Sequence, residues 1–245
     1  MMSFPAPFEK VRITTPRRLG VLGGMGPLAT ADFYAKLIRL TLARSDQEHL
    51  PTVIASLPQI PDRTAAIIGS GLSPLPAMRE ALRVLEHAGV ERVAIPCNTA
   101  HFWFDALQGA THLPLLHIVD AVAAALSARG LAPGDIVGLL ATDGTLKAEI
   151  YQRRLHRFGY ACATPTPHGQ RSVMNAIRRV KAGEPAAATA ALRNAVAGLR
   201  EKGCAAVILA CTELPLALPT EHSDVLLDAT EALALACLRD AAPPP

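Results

Sequence analysis

Two cysteines in this chain stand where a thiol can do chemistry. Cys97 ends the apolar run RVAIPC and is followed by Asn98 and Thr99. Cys211 ends the apolar run AAVILAC and is followed by Thr212 and Glu213. One such cysteine alone reads as a small buried hydrophobe. A pair at matching strand ends, each opening a helix or turn with small polar neighbours, points to a shared site. A thiol at a helix N-terminus is expected to favour the thiolate, because the N–H dipoles stabilise it. Two opposed thiols serve one of two chemistries. They form a redox pair, which needs Cα atoms within about 7 Å. Or they work on the two faces of a flat carbanion, one thiolate removing a proton and one thiol returning it from the other side. The second scheme suits a reaction run both ways, since acid and base exchange roles with the hand of the substrate. Cys162, Cys204 and Cys237 lack this context and are assigned to packing.

The elements that must position these loops alternate along the chain. Strand-like runs are predicted at 19–23, 52–57, 92–97, 115–119, 135–142, 161–166, 205–211 and 225–229. Helical runs are predicted at 28–44, 73–88, 120–129, 145–158, 170–182, 186–202 and 229–240. Such alternation means βαβ units and parallel sheets. RVAIPC and AAVILAC are nearly continuous apolar runs, as central strands covered on both faces require. The order of features repeats: GVLGGMGP and later VERVAIPCNTAH in the first half, GDIVGLLATDGT and later CAAVILACTELP in the second. The fold expected is α/β: two similar lobes, each a parallel-type sheet flanked by helices, related by a pseudo-two-fold axis, with the active site between them. The expected division is a flexible tail over 1–16, a first lobe over 17–118, a second over 119–225, and a last strand and helix over 226–245 that pack back on the first lobe and end in a frayed Pro-rich tail.

Composition narrows the functional classes. Of the 245 residues half are hydrophobic and 18% charged, which is enough for a substantial core and argues against disorder. The formal net charge of +3 comes with no basic run interleaved with aromatics, so nucleic acid is not an expected partner. No run of about 18 apolar residues occurs, so no membrane span is expected. The start shows no apolar signal-peptide core, and five cysteines include no C-x-x-C pair. Free thiols in a reducing cytoplasm are the expectation. Metal-ligand spacings are absent.

GVLGGMGPLAT, PDRT with Arg63, IPCNTAH, KAGE with Lys181 and LACTELPL, in this order, resemble the aspartate/glutamate racemase family, and within it the aspartate racemase branch, which is independent of pyridoxal phosphate. The resemblance runs from about Leu19 to Leu238. It implies an isomerase that interconverts L- and D-aspartate, with glutamate as the alternative substrate, without a cofactor, and usually a homodimer. It implies Cys97 and Cys211 as the catalytic pair, and Arg63 and Lys181 as cations that recognise the substrate's carboxylates. Some relatives carry threonine at the first cysteine and handle one hand of substrate poorly; this chain keeps the cysteine. Same-fold alternatives are a broad-specificity amino-acid racemase, a hydantoin racemase, a maleate isomerase or an arylmalonate decarboxylase. An alternative outside catalysis is an amino-acid-binding protein that has lost turnover.

The remaining candidates follow from the carbanion's need for electrostatic donors. Asn98, Thr99 and Thr212 are candidates to hold the α-carboxylate, with Thr142 and Thr145 of the loop ATDGT adding hydroxyls or capping the following helix. Glu213 either grips the substrate's ammonium or caps its own helix. His101 is expected to hold a backbone carbonyl in preference to tuning the Cys97 thiol. Lys181 near a helix end also complements the helix dipole. Gly24, Gly26 and Ala29 match a dinucleotide fingerprint, yet the next strand, TVIASL, ends in Pro58 and Gln59, with no acid to bind ribose. Gly24 and Met25 are therefore expected to border a small carboxylate ligand at an anion-friendly helix start.

Overall fold

A computed structural model describes residues 10–14, 16–220 and 223–241. Most of the expected N-terminal tail and of the frayed Pro-rich end lies outside them. Within 1–16, Val11 is tied to the segment after the first helix by hydrogen bonds from Val11 N to Leu40 O and from Leu42 N to Val11 O, both 2.8 Å.

The first half contains β1 (Leu19–Gly23), α1 (Pro27–Leu40), β2 (Thr52–Ser56), α2 (Arg63–Ile68), α3 (Leu75–His87), β3 (Arg92–Ala94), α4 (Phe104–Gln108) and β4 (Leu115–Leu116). The second contains α5 (Ile118–Ala128), β5 (Ile136–Ala141), α6 (Asp143–Lys147), α7 (Ile150–His156), β6 (Ala161–Ala163), α8 (Pro167–Lys181), α9 (Pro185–Glu201), β7 (Ala206–Ala210), β8 (Leu226–Asp228) and α10 (Ala229–Asp240). The strands form two four-stranded sheets, ordered β2-β1-β3-β4 and β6-β5-β7-β8, parallel throughout. The same order in both confirms the two-lobe α/β fold expected from the internal repeat.

Strand alternation sorts the core into three layers. Leu19 and Val21 of β1, Val137 and Leu139 of β5, and Ile208 of β7 turn to one apolar cluster shared by both sheets and filled by Phe33, Val122, Tyr151 and Leu233. Leu22, Val93 and Ile95 turn the other way, onto α3. Leu140, Val207 and Leu209 turn onto α8 and α9. The two central strands carry a glycine at matching places. A Cβ on Gly20 would lie 2.9 Å from Val90 and 3.3 Å from Leu85; one on Gly138 would lie 2.9 Å from Leu199. Glycine lets the outer helix of each lobe approach its sheet closely.

The edges of elements moved for local reasons. The strand RVAIPC stops at Ala94, since Pro96 has no N–H for the ladder and Cys97 N turns back to Ile95 O at 2.7 Å. The helix expected over 145–158 is two, because Glu149 adopts a left-handed conformation (φ 53°) between α6 and α7. The short α2 was not anticipated. Asp62 caps its start by accepting from Ala65 N, and left-handed Gly69 (φ 92°) ends it; six residues are too few to show a helical period.

A buried ion cluster joins α1 to the start of α10. Lys36 Nζ lies 2.7 Å from Asp228 Oδ2 and also pairs with Asp32. Burial works against the charge on Lys36, but Asp228 and Asp32 outweigh it and raise its pKa. Asp228 Oδ1 caps α10 through Thr230 N (2.7 Å) and Glu231 N (3.2 Å). Lys36→Met leaves Asp228 buried and unpaired and is expected to cost about 3–5 kcal/mol in urea unfolding. Adding Asp228→Asn, which keeps the cap, should recover much of that loss.

Candidate active site

The loops after β1, β2, β3, β5 and β7 meet at the carboxyl ends of the strands, the place where open α/β sheets bind ligands. There they line a cleft open to solvent, with about 290 Å³ of space between and in front of them. Cys97 and Cys211 both line it, as do Met25, Arg63, Asn98 and Thr99 of the first lobe and Thr142, Lys181, Thr212 and Glu213 of the second. Ten of the twelve candidate residues thus share one cavity. Gly24 and Thr145 are not in its wall. Gly24 is committed to close packing: its N–H donates to Thr30 Oγ1 at 2.9 Å, and a Cβ there would lie 2.3 Å from Leu57 N. It borders instead an outer chamber of about 650 Å³ that shares Arg63, Lys181 and Glu213 with the cleft. Thr145 stands behind Thr99 and Thr142, in a triangle of hydroxyls 2.9–3.0 Å apart that spans the two lobes. Asp62 and Thr64 also line the cleft; only their adjacency to Arg63 marked them in the sequence.

Each thiol has its own support. The carbonyl of Cys97 accepts from His101 Nδ1 at 2.9 Å, while His101 Nε2 accepts the N–H of Ile118 at 3.1 Å. The imidazole therefore bridges the Cys97 loop to the first turn of α5 in its neutral form. Burial, only partly opposed by its bond to the Cys97 carbonyl, lowers its pKa to about 4. This is the carbonyl-holding role read for His101. Cys211 Sγ lies 3.0 Å from Glu213 Oε2, which also accepts from Thr212 Oγ1 at 3.2 Å. Glu213 Oε1 lies 3.9 Å from Lys181 Nζ.

The expectation that a helix N-terminus depresses the Cys211 pKa is corrected. Only a single 3-10 turn, Leu214–Leu216, follows the cysteine, and such a turn has little dipole to offer. Burial comes first and the neighbouring Glu213 second in pushing the Cys211 thiol well above its ordinary value. Burial disfavours the Lys181 ammonium, but the negative charge of Glu213, joined by the two cysteine sulfurs where they ionise, outweighs it and raises its pKa.

Arg63 is only 8% exposed, and its guanidinium donates to three neutral carbonyls: Ile60 O and Pro61 O at 3.1 Å and Met25 O at 3.2 Å. Its Nε has no partner, and among the described residues no carboxylate pairs with it. A buried cation without a counter-ion attracts an anion. Asn98 is similar: its Oδ1 accepts from the Tyr151 hydroxyl at 2.5 Å, while Nδ2 is buried and unpartnered. All five cysteines are free, and among the described residues no group of three or more His, Cys, Asp or Glu is arranged to hold a metal. No helix among them is long and apolar enough to cross a membrane.

Comparison with known proteins decides the family. A family model described as Asp/Glu/Hydantoin racemase matches residues 22–237. The chain belongs to the Asp/Glu/hydantoin racemase family. It is thus a racemase, an isomerase by class. It is similar to the broad specificity amino-acid racemase RacX of Bacillus subtilis, with 28% identity over 221 residues covering 88% of this chain and 94% of the relative. Among solved structures it is similar to the Picrophilus torridus aspartate racemase, with a TM-score of 0.82 and 32% identity, covering 92% of this chain and 94% of that one. An aspartate racemase homologue from Pyrococcus horikoshii superposes with a TM-score of 0.74 and 26% identity, over 92% of this chain and 99% of the other.

Two outcomes follow for this racemase. Unfolded His101 takes up a proton near pH 6.5, while the folded residue does so only near 4. Its contribution to stability is therefore full above 6.5 and is lost as pH falls from there towards 4. Lowering pH from 7 to 5 is expected to cost about 2 kcal/mol through this residue, and His101→Gln should flatten the pH dependence of chemical denaturation. Glu213→Gln removes the carboxylate that raises the Cys211 pKa. The midpoint of iodoacetamide labelling at the Cys211 peptide, followed by mass spectrometry, is expected to move to lower pH; an unmoved midpoint would show that burial alone sets it.

Proposed function

We propose that this amino-acid racemase interconverts L- and D-aspartate by a two-base reaction at Cys97 and Cys211, without pyridoxal phosphate. The observation that carries the reading is the meeting of both cysteines in one cleft beside the buried, uncompensated Arg63. One thiolate takes the α-proton: the S–H bond forms, the Cα–H bond breaks, and the electron pair stays on the substrate, spread into its α-carboxylate. The opposite thiol then gives its proton to the other face of Cα. The configuration inverts, and the two sulfurs have exchanged protonation states. The enzyme resets when the sulfur that gained a proton releases it to water and the other takes one up from water; Glu213, hydrogen-bonded to Cys211, is placed to relay that proton at Cys211.

The donors of Asn98, Thr99, Thr142 and Thr212 hold the α-carboxylate as charge builds on it, which is where electrostatic stabilisation counts most. Thr145 supports Thr99 and Thr142 from behind. Arg63 and Lys181 take the side-chain carboxylate, by fork and point charge respectively. Met25 and the Gly24 loop close that side of the site.

One observation favours a second reading, a racemase of broad side-chain tolerance like the similar RacX. Pro27, Leu28, Val180 and Leu216 line the chamber just outside the cleft, an apolar wall within reach of a longer side chain.

Incubation of L-aspartate with the enzyme in deuterated water, without added cofactor, is expected to give α-deuterated D-aspartate by chiral chromatography and mass spectrometry. Glutamate and neutral amino acids run beside it separate the two readings: comparable turnover of neutral substrates favours broad tolerance, and no exchange with any of them refutes racemisation of amino acids. Cys97→Ala and Cys211→Ala should each lower racemisation by about a hundredfold or more in both directions. Normal rates in either variant would remove that cysteine from the mechanism.

A further inference from the structure

Behind the cleft wall, Tyr151 is a fully buried polar side chain that the two-base scheme leaves without a task. It belongs to α7 in the second lobe, is fully buried in the core shared by both sheets, and makes one hydrogen bond through its hydroxyl, to Asn98 Oδ1 in the first lobe. Asn98 lies next to Cys97 and lines the cleft.

The chemistry of that bond fixes how the Asn98 amide stands. If the phenol donates to Oδ1, the amide's two N–H donors are left over, and Nδ2 is the buried atom without a partner. If the amide were turned over, Nδ2 would donate to the phenol oxygen. The buried phenol hydrogen and Oδ1 would then both lack partners, and a carbonyl oxygen would face the anion-binding cleft. Unmade hydrogen bonds of buried groups are costly, so the first arrangement wins. Both ends of the bond are rigid. The Tyr151 ring is locked by core packing, and the Asn98 backbone is held by the turn in which His101 N donates to Asn98 O at 3.1 Å. Burial, with Asp228 and Cys211 adding to it, keeps the phenol neutral and able to donate.

We infer that Tyr151 is a positioning residue: its hydroxyl, reaching across from the second lobe, holds the Asn98 amide so that Nδ2–H is presented to the carboxylate of the substrate. This rests on the reading of the cleft as an amino-acid site and deepens it. It makes a donor of the first lobe depend on a residue of the second, so that the α-carboxylate donors are complete only when the two lobes stand in register.

The test is a double-mutant cycle with Tyr151→Phe and Asn98→Ala, which separates action through Asn98 from a general structural role. Tyr151→Phe is expected to lower kcat/KM for L-aspartate by about tenfold to a hundredfold. In the Asn98→Ala background the same substitution should change it less than about twofold. An equal loss in both backgrounds, or no loss in the native background, would overturn the inference. A readout independent of turnover comes from the 15N-labelled side-chain amide of Asn98. Its signals are expected to shift on adding succinate to the native protein and to shift much less in Tyr151→Phe protein whose thermal melt is intact. Unmoved signals in the native protein, or equal shifts in the variant, would sink the proposal. Shifts that depend on Tyr151 in a protein that does not racemise aspartate would uphold the positioning role and reject the function proposed above.

Discussion

The cleft depends on one apolar layer shared by the two sheets. Leu19 and Val21 from one central strand, and Val137 and Leu139 from the other, bury against the same helices. Because strand side chains alternate, committing these positions to the shared layer commits their neighbours to the outer helices. The helical crossovers between strands run every strand of a sheet in the same direction. Parallel strands in both sheets then deliver their carboxyl-terminal loops to the common boundary. Burial of apolar surface is non-directional, but here it is translated by strand geometry into the placement of polar loops. The Lys36–Asp228 pair adds a directional tie at the same junction, joining α1 to the cap of α10.

The cleft itself inverts the usual rule that buried polar groups find partners within the protein. Arg63 Nε and Asn98 Nδ2 are buried and unpartnered, while the atoms around them are satisfied: the rest of the guanidinium by backbone carbonyls, the amide oxygen by Tyr151. Each group is held firmly by one part and left unmet at another. Such groups are expensive in the empty protein and favourable when an anion arrives, because the reorganisation has been done during folding.

Much of this was legible in the sequence because it was written twice. The repeated order of strand, Gly-rich or Thr-rich loop, and Cys-ended strand made the two lobes visible, and continuous apolar runs marked the central strands. The cysteines, and the residues directly following them, were readable for the same reason: a strand end in a parallel sheet points to the ligand side. What failed to show was short or indirect. The six-residue α2 has no period to detect, and its Asp62 cap carries the signal only once its partner Ala65 N is seen. The electrostatics of Cys211 were misjudged because a dipole argument assumed a long helix, while the chain makes one tight turn and sets Glu213 beside the sulfur. Tyr151 escaped notice because its neighbours in sequence are a helix surface; only the fold brings it to Asn98.

The two thiols occupy equivalent places but unequal surroundings. Cys97 is backed by a neutral imidazole that holds its carbonyl, Cys211 by a carboxylate that touches its sulfur. In a racemase this asymmetry is tolerable for a thermodynamic reason. Enantiomers have equal free energy in solution, so kcat/KM in the two directions must be equal whatever the thiols' individual basicities. An environment that makes Cys211 a reluctant thiolate therefore cannot favour one product at equilibrium. It can only redistribute each direction's kcat and KM, by altering which protonation state of the cysteine pair the resting enzyme holds. Selection for a working racemase consequently constrains the pair as a unit, and leaves each lobe free to support its own cysteine by different chemistry.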